Sequence, residues 1–370
     1  MTVIPLVDLH AQHGALAEEL RATFERVIAD GQFILGNDVR EFEREWAVFT
    51  GGLHVIGTAN GTAALHLALL ACGVGAGDEV ITVSHTFIAT TEAISYVGAK
   101  PVFVDVNPHT YVMEATQLAR ALTSRTKAIL PVHLYGHPAP MEEILAFARA
   151  HGLAVIEDAA QAHGALYRGK HAGTLADVGT FSFFPAKNLG ALGDAGAAVT
   201  GDAAKAERLR LLVNHGRAQK YEHEFEGYNY RLDTLHAALL LVKLRRLGEW
   251  VARRRAVARK YNELLAGLPL TLPTEADGCE HAYHLYVVRH PHRDELACVL
   301  KGQGIATGVH YPIPLHLQPA YKHLGHAAGS FPVTEQIART VLSLPMYPEL
   351  SDEQIERVAS AVRGAVERLV

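Results

Sequence analysis

The stretch FSFFPAKNLGALGDAG, residues 181–196, sets one amine, that of Lys187, between an apolar aromatic run and a string of glycines. Burying an ammonium is costly unless it is paired, deprotonated or converted into something else. A lysine there has either reached the surface at a strand end or is kept for chemistry that uses a free amine. Two further groups bear on that choice. Asp158 closes the apolar run LAVIED, and the turn Asn60-Gly61-Thr62 stands between LHVIGTA and a helical pattern. Such a turn is either a plain N-cap or an anion seat, in which free backbone N–H groups, the helix dipole and a hydroxyl hold a phosphate. A phosphate seat, a carboxylate that keeps a ring nitrogen protonated and an imine-forming lysine are the parts that pyridoxal 5′-phosphate requires.

These groups are useful only if the fold gathers them, so the elements come next. LHVIGTA (53–59) reads as a strand, and NGTAALHLALLACG as a helix that stops at Gly73. DEVITVSHTF, KPVFVDV, TKAILPVHL and LAVIEDAA read as strands separated by the helical segments TTEAISYVG and MEEILAFARAHG, and VGTFSFF and GAAVT close the block. Short β-branched runs alternating with helices predict an α/β fold with a mainly parallel sheet between helices. Ligands of such sheets bind outside the carboxyl ends of the strands, which is where Asp158 and Lys187 fall. A long helix is predicted from Leu235 to about Leu265, with Gly267 and Pro269 as stops, leading into a small α+β C-terminal domain. That domain contains a strand in HAYHLYVVRH and a terminal helix in SDEQIERVASAVRGAVERL. The expected division is a large domain over 1–245 and a small one over 246–370.

Composition removes several functional classes. The 370 residues are 49% hydrophobic, and 34 Lys+Arg stand against 39 Asp+Glu for a formal net charge of −5, which gives no footprint for nucleic acid or an anionic membrane. Cys72, Cys279 and Cys298 are far apart and show no CxxC spacing. With no basic, apolar leader at the start, they predict a cytoplasmic protein with reduced thiols. His281, His284, His290 and His292 fall around one strand without acidic or Cys ligand spacing and are read as no metal site. GALYRGK (164–170) fits G-x-x-x-x-G-K, but His171 stands where Ser or Thr would bind Mg²⁺, so a hairpin is expected. GVGAG (73–77) is expected to be a turn, and VARRRAVARK (251–260) a solvated helix face.

The stretches GTANGTAALHLAL, GDEVITVSHTFIAT, VIEDAAQAHGA, GTFSFFPAKNLGALGDAGA, NHGR, GYNYRLDTLHAALL and HYPIPLHLQPAY together resemble the nucleotide-sugar aminotransferases of the DegT/DnrJ/StrS type over nearly the whole chain. The resemblance implies the fold type I architecture of aspartate aminotransferase and a homodimer with shared active sites. Carried over by position, it makes Lys187 the Schiff-base lysine, Asp158 the partner of the pyridinium nitrogen and Gln161 a neighbour of the cofactor's phenolic oxygen. Gly61, Thr62 and Ser182 would hold the phosphate, and Asn229 would reach it from the other subunit. Phe87 would stack on the ring, although an isolated Phe reads more often as core packing. Ala186 departs from the Gly or Thr common before the lysine.

The implied activity is amino transfer from L-glutamate, through pyridoxamine phosphate, to a nucleotide-linked keto sugar. In GVHYPIPLHLQPAY (308–321) the prolines stiffen a loop. His310 and Tyr311 are expected to contact substrate there, while Ile313 and Leu315 read equally as packing. The loop is similar to those of members that aminate C3 of dTDP-3-keto-6-deoxyhexoses, which is the acceptor expected. The alternatives are C4 amination of a dTDP- or UDP-4-keto sugar, a dehydratase of the same fold, which typically has His in place of the lysine, and a non-catalytic regulator.

Overall fold

The computed structural model describes residues 3–51 and 54–369. Leu53, which opens the strand expected over 53–59, lies outside them, and the strand itself is β1 (His54–Thr58). The other strands are β2 (Glu79–Val83), β3 (Lys100–Val104), β4 (Thr126–Ile129), β5 (Ala154–Asp158), β6 (Leu166–Tyr167), β7 (Lys170–His171), β8 (Val178–Ser182), β9 (Gly196–Thr200), β10 (Arg217–Gln219), β11 (Glu222–His223), β12 (Cys279–Glu280), β13 (Tyr286–Arg289) and β14 (Val341–Leu344). The helices are α1 (Leu9–Ala15), α2 (Ala17–Asp30), α3 (Asn37–Thr50), α4 (Gly61–Ala71), α5 (Ala89–Tyr96), α6 (Leu118–Ala121), α7 (Met141–His151), α8 (Ala203–Val213), α9 (Thr234–Leu265), α10 (Arg293–Gly302), α11 (Pro332–Thr340) and α12 (Asp352–Leu369).

Seven strands form the central sheet in the order β1-β9-β8-β5-β4-β2-β3. Every residue of β2 and of β9 is buried, as expected where helices cover both faces and the strands read as continuous apolar runs. The pairs β8–β5, β5–β4, β4–β2 and β2–β3 are parallel, while β9 runs antiparallel to both neighbours. α4 is apolar almost all round because it is enclosed by the sheet, α5 and α8; among residues 61–69 only Thr62 escapes full burial.

A second apolar cluster gathers the end of α9 (Val257, Tyr261, Leu265), β13, β14, α10 and α12, and Ile4 packs into it. No helix among the described residues is long and apolar enough to cross a membrane.

GALYRGK is a hairpin: β6 pairs antiparallel with β7 across Arg168 and Gly169, which both take positive φ. Two expectations need correction. The strand expected in HAYHLYVVRH begins only at Tyr286, because Tyr283 takes φ 45° and the Ala282 and Leu285 N–H groups donate to Gly136 and Tyr135 instead. VARRRAVARK is not a uniformly solvated face. Arg254 is 2% exposed, and its guanidinium donates to the carbonyls of Tyr283, His284 and Met346, at 3.1, 3.3 and 3.1 Å. Once buried there, the cation has its pKa lowered to about 10 by desolvation.

Candidate active site

Because β9 opposes both β1 and β8, strands β1, β8, β5, β4 and β2 all end on one edge of the sheet. Thr58 pairs with Gly196 and Gly196 with Ser182, so the ends of β1 and β8 flank the start of β9 in a single row. Asp158 ends β5 beside Thr180 of β8, and Phe87 follows β2.

α4 starts at this edge. The Asn60 side chain accepts from Ala63 N–H at 2.8 Å, while the N–H groups of Gly61 and Thr62 belong to the first turn and have no acceptor within the helix. A Cβ on Gly61 would stand 2.6 Å from Ser182 Cβ, and one on Gly196 would stand 2.5 Å from the Asn60 carbonyl carbon. Only glycine lets the helix start come this close to the two strands. Ser182 Oγ accepts from Phe184 N–H at 3.3 Å, which leaves its own proton to donate. Free backbone donors and hydroxyls at the positive end of a helix suit a phosphate.

Lys187 and Asp158 face the same interior and act on each other electrostatically. Desolvation lowers the Lys187 pKa to about 8, against the pull of Asp158 in the other direction, so free amine is available near neutral pH. Asp158 is 5% exposed, and burial raises its pKa. Opposing that rise, Thr90 donates to Oδ2 at 2.8 Å, Ala160 N–H donates to Oδ1 at 3.2 Å, and Lys187 adds its charge. Thr90 spends its proton on the carboxylate, so in its 2.9 Å contact with Thr86 it must accept.

Gln161 lies beside them. Its Oε1 accepts from Tyr135 N–H at 2.7 Å, and its Nε2 donates to the Tyr311 hydroxyl at 3.2 Å. The Tyr311 ring meets Phe87, itself 54% exposed, at 5.7 Å between centroids, so Phe87 is not core. His310 contacts Ser343 Oγ through Nδ1 at 2.8 Å, and its pKa is lowered to about 4 by burial and then by Lys187. Ile313 is exposed and Leu315 buried, which separates two residues of the loop that the sequence treats alike. Asn229 precedes Tyr230, whose carbonyl accepts from Ala59 N–H at 2.6 Å just before α4. Asn229 is exposed on the segment before α9 and bridges to Asn214 through the backbone.

The structure thus brings together Lys187, Asp158, Gln161, Ser182, Gly61, Thr62, Phe87, His310 and Tyr311 at one sheet edge. It adds Thr90, His85 and Tyr135, which carry no spacing signal; Tyr135 does lie just beyond β4, where the strand-end rule points. Among the described residues no group of three His, Cys, Asp or Glu is arranged to hold a metal ion.

Comparison with known proteins gives a consistent result. The family model described as the DegT/DnrJ/EryC1/StrS aminotransferase family matches residues 15–363. A dTDP-3-amino-3,4,6-trideoxy-alpha-D-glucose transaminase of Streptomyces venezuelae is 47% identical, over 99% of this chain and 97% of its own. A UDP-N-acetyl-3-dehydro-alpha-D-glucosamine 3-aminotransferase of Acidithiobacillus ferrooxidans is 48% identical over 98% of each chain. A Geobacillus stearothermophilus protein named as a pleiotropic regulatory protein is 48% identical, over 97% of this chain and 99% of its own. Among solved structures, S. venezuelae DesV in complex with a ketimine intermediate superposes with a TM-score of 0.98 at 47% identity, covering 100% of both chains. NtdA of Bacillus subtilis with bound cofactor PMP superposes with a TM-score of 0.91 at 32% identity, over 99% of this chain and 85% of its own.

Proposed function

The chain belongs to the DegT/DnrJ/EryC1/StrS aminotransferase family, and from that membership we propose that it moves the amino group of L-glutamate to C3 of a dTDP-linked 3-keto-6-deoxyhexose. It is a sugar aminotransferase of fold type I whose cofactor is pyridoxal phosphate. The observation that carries the reading is the meeting of a low-pKa Lys187, the buried Asp158 and the Gly61–Ser182 seat on one edge.

When bound, the cofactor supplies an electron sink for the negative charge left as a proton departs from the substrate carbon. The chain's residues do the rest. Gly61 and Thr62, through the first N–H groups of α4, and Ser182, through its hydroxyl, would hold the phosphate. The Asp158 carboxylate, whose charge Thr90, Ala160 and Lys187 support against the effect of burial, would be the partner of the ring nitrogen and hold its proton. Lys187 Nζ would hold the cofactor through its aldehyde carbon; displaced by the amine of the donor, the free Lys187 amine would take the α proton and deliver it to the carbon on the other side of the linking nitrogen. Phe87 would cover a ring face, and the Gln161 amide would lie by the phenolic oxygen. His310, neutral at working pH, and Tyr311 face the sugar.

In this reading Asn229 completes the phosphate site of a second copy, making a homodimer with shared sites. The division between the large and small domains falls near residue 245, inside α9. The free thiols of Cys72, Cys279 and Cys298 fit a reducing cytoplasm.

The test is glutamate-dependent amination across dTDP- and UDP-linked 3-keto and 4-keto sugars, with the amination position read by NMR. The 3-amino product from the dTDP-3-keto sugar is expected to dominate. A tenfold kcat/KM preference for a 4-keto sugar, about 1.4 kcal/mol of discrimination the other way, reverses the assignment of position. Failure of glutamate to bleach the yellow cofactor would favour the regulator reading.

A further inference from the structure

Tyr135 lies next to the site, and the function proposed above gives it no role. It is 2% exposed, yet its backbone takes φ 60° and ψ −2°, the left-handed region that a Cβ disfavours. The chain holds it there from several sides. Its N–H donates to Gln161 Oε1 at 2.7 Å, its carbonyl accepts from Leu285 N–H at 3.3 Å, and the next carbonyl, of Gly136, accepts from Ala282 N–H at 2.9 Å. Its hydroxyl touches both the His310 carbonyl and His85 Nε2, the latter at 2.8 Å. The preceding His133 anchors the loop from below: its Nδ1 accepts from Ala139 N–H at 2.9 Å, and its Nε2 donates to Glu157 at 2.9 Å.

Hydrogen-bond bookkeeping fixes where the protons lie. The His310 carbonyl only accepts, so the single Tyr135 proton goes to it, and the His85 contact must be made by an Nε2–H. His85 is therefore the neutral Nε2–H tautomer, with its Nδ1 buried and without a protein partner. Likewise the Tyr135 N–H can only donate, so Gln161 must present its oxygen there and its NH₂ to Tyr311. The Tyr311 oxygen then accepts from Gln161, and its own hydrogen is not used in that contact.

We propose that Tyr135 is a positioning residue for the acceptor-sugar step: its N–H orients the Gln161 amide and its hydroxyl, fed by His85, ties down the His310 carbonyl, so that Tyr311 meets the ligand as a hydrogen-bond donor. This rests on the reading that His310 and Tyr311 face the sugar. A donor at Tyr311 suits a ketone or hydroxyl oxygen.

The experiment compares wild type with Tyr135→Phe, both as purified holoenzyme, with each half-reaction followed by itself from the cofactor's absorbance. Tyr135→Phe keeps the ring and the N–H but lets the His310 carbonyl go. The glutamate half-reaction is expected to stay within about threefold, while kcat/KM for the keto sugar falls about tenfold or more, chiefly through KM. Equal losses in both halves, or no loss in either, overturn the proposal. Nitrogen-15 NMR of histidine-labelled wild type, with the His85 signal assigned from its disappearance in His85→Gln, supplies a readout independent of activity and of the folding of the Phe variant. A proton on Nε2 supports the network, and one on Nδ1 overturns it. Wild type that aminates no keto sugar while His85 still shows the Nε2 proton refutes the function and not the contact.

Discussion

Asp158 and Lys187 share one desolvated pocket, and each is pushed by burial toward its neutral form while the other pulls it back. The carboxylate has more help, because Thr90 and Ala160 both donate to it. Replacing Asp158 by Asn keeps the shape and removes the charge that holds the ring nitrogen protonated. Turnover should fall about a hundredfold or more while the cofactor's absorbance shows full occupancy. Wild-type kcat at full occupancy would remove Asp158 from that role. Thr90→Val deletes one donor and leaves the charge, so its loss should be in the same direction and smaller.

At the scale of elements, α9 does more than connect two parts of the chain. It opens at Asp233, whose carboxylate caps His236 N–H at 2.8 Å, and it carries two buried cations toward the site. Lys243 Nζ donates to the Gly190 carbonyl at 2.5 Å, in the loop that holds Lys187, and desolvation lowers its pKa to about 8. Arg254 gathers the carbonyls of Tyr283, His284 and Met346. Arg254→Leu fills similar volume but leaves those three acceptors without their cation, so the protein should lose about 3 kcal/mol or more by urea unfolding. A loss under about 1 kcal/mol would mean that water satisfies them.

For the whole molecule two outcomes are expected. If Asn229 completes the neighbouring site, mixing Lys187→Ala with Asn229→Ala subunits places both defects in one site of each hybrid dimer and leaves the other intact. Random mixing should restore about a quarter of wild-type activity, from two parents that have almost none. Verified hybrids without activity would show that each chain builds its own site. The second outcome concerns acid. His85 and His163 are held neutral by burial, with pKa values lowered to about 3, and His137 and His171 likewise at about 4. The unfolded chain takes up these protons near pH 6.5, so between there and about pH 4 it binds more protons than the fold does, and stability drops as pH falls. Each histidine contributes at most about 1.4 kcal/mol per pH unit to that slope. His163→Phe, set among Trp46, Phe181 and Phe183, should flatten the unfolding profile by about one proton, and an unchanged slope would mean that His163 is already charged in the fold.

The order of strands and helices, the start of α4 at Gly61 and the placement of Lys187 and Asp158 at strand ends were legible in the chain, because each follows from the spacing of apolar residues and stop signals within a few positions. Motif resemblance added Gln161, Ser182, Phe87 and the His310-Tyr311 loop. Local pattern could not show that β9 turns against its neighbours and sets Gly196 between Thr58 and Ser182. Nor could it show that Arg254, inside a basic run that reads as solvated, is buried against carbonyls, one of them 92 residues away. Tyr135 is the sharpest case. Its place just beyond β4 points to the sheet edge, but nothing near it in the chain marks its role, because its hydroxyl reaches a carbonyl 175 residues further on and its strained backbone is held by groups from other elements. Backbone preference and apolar periodicity act over a few residues and can be read along the chain, whereas a buried polar atom must find its partner wherever the packed core brings one, and only the tertiary structure decides which.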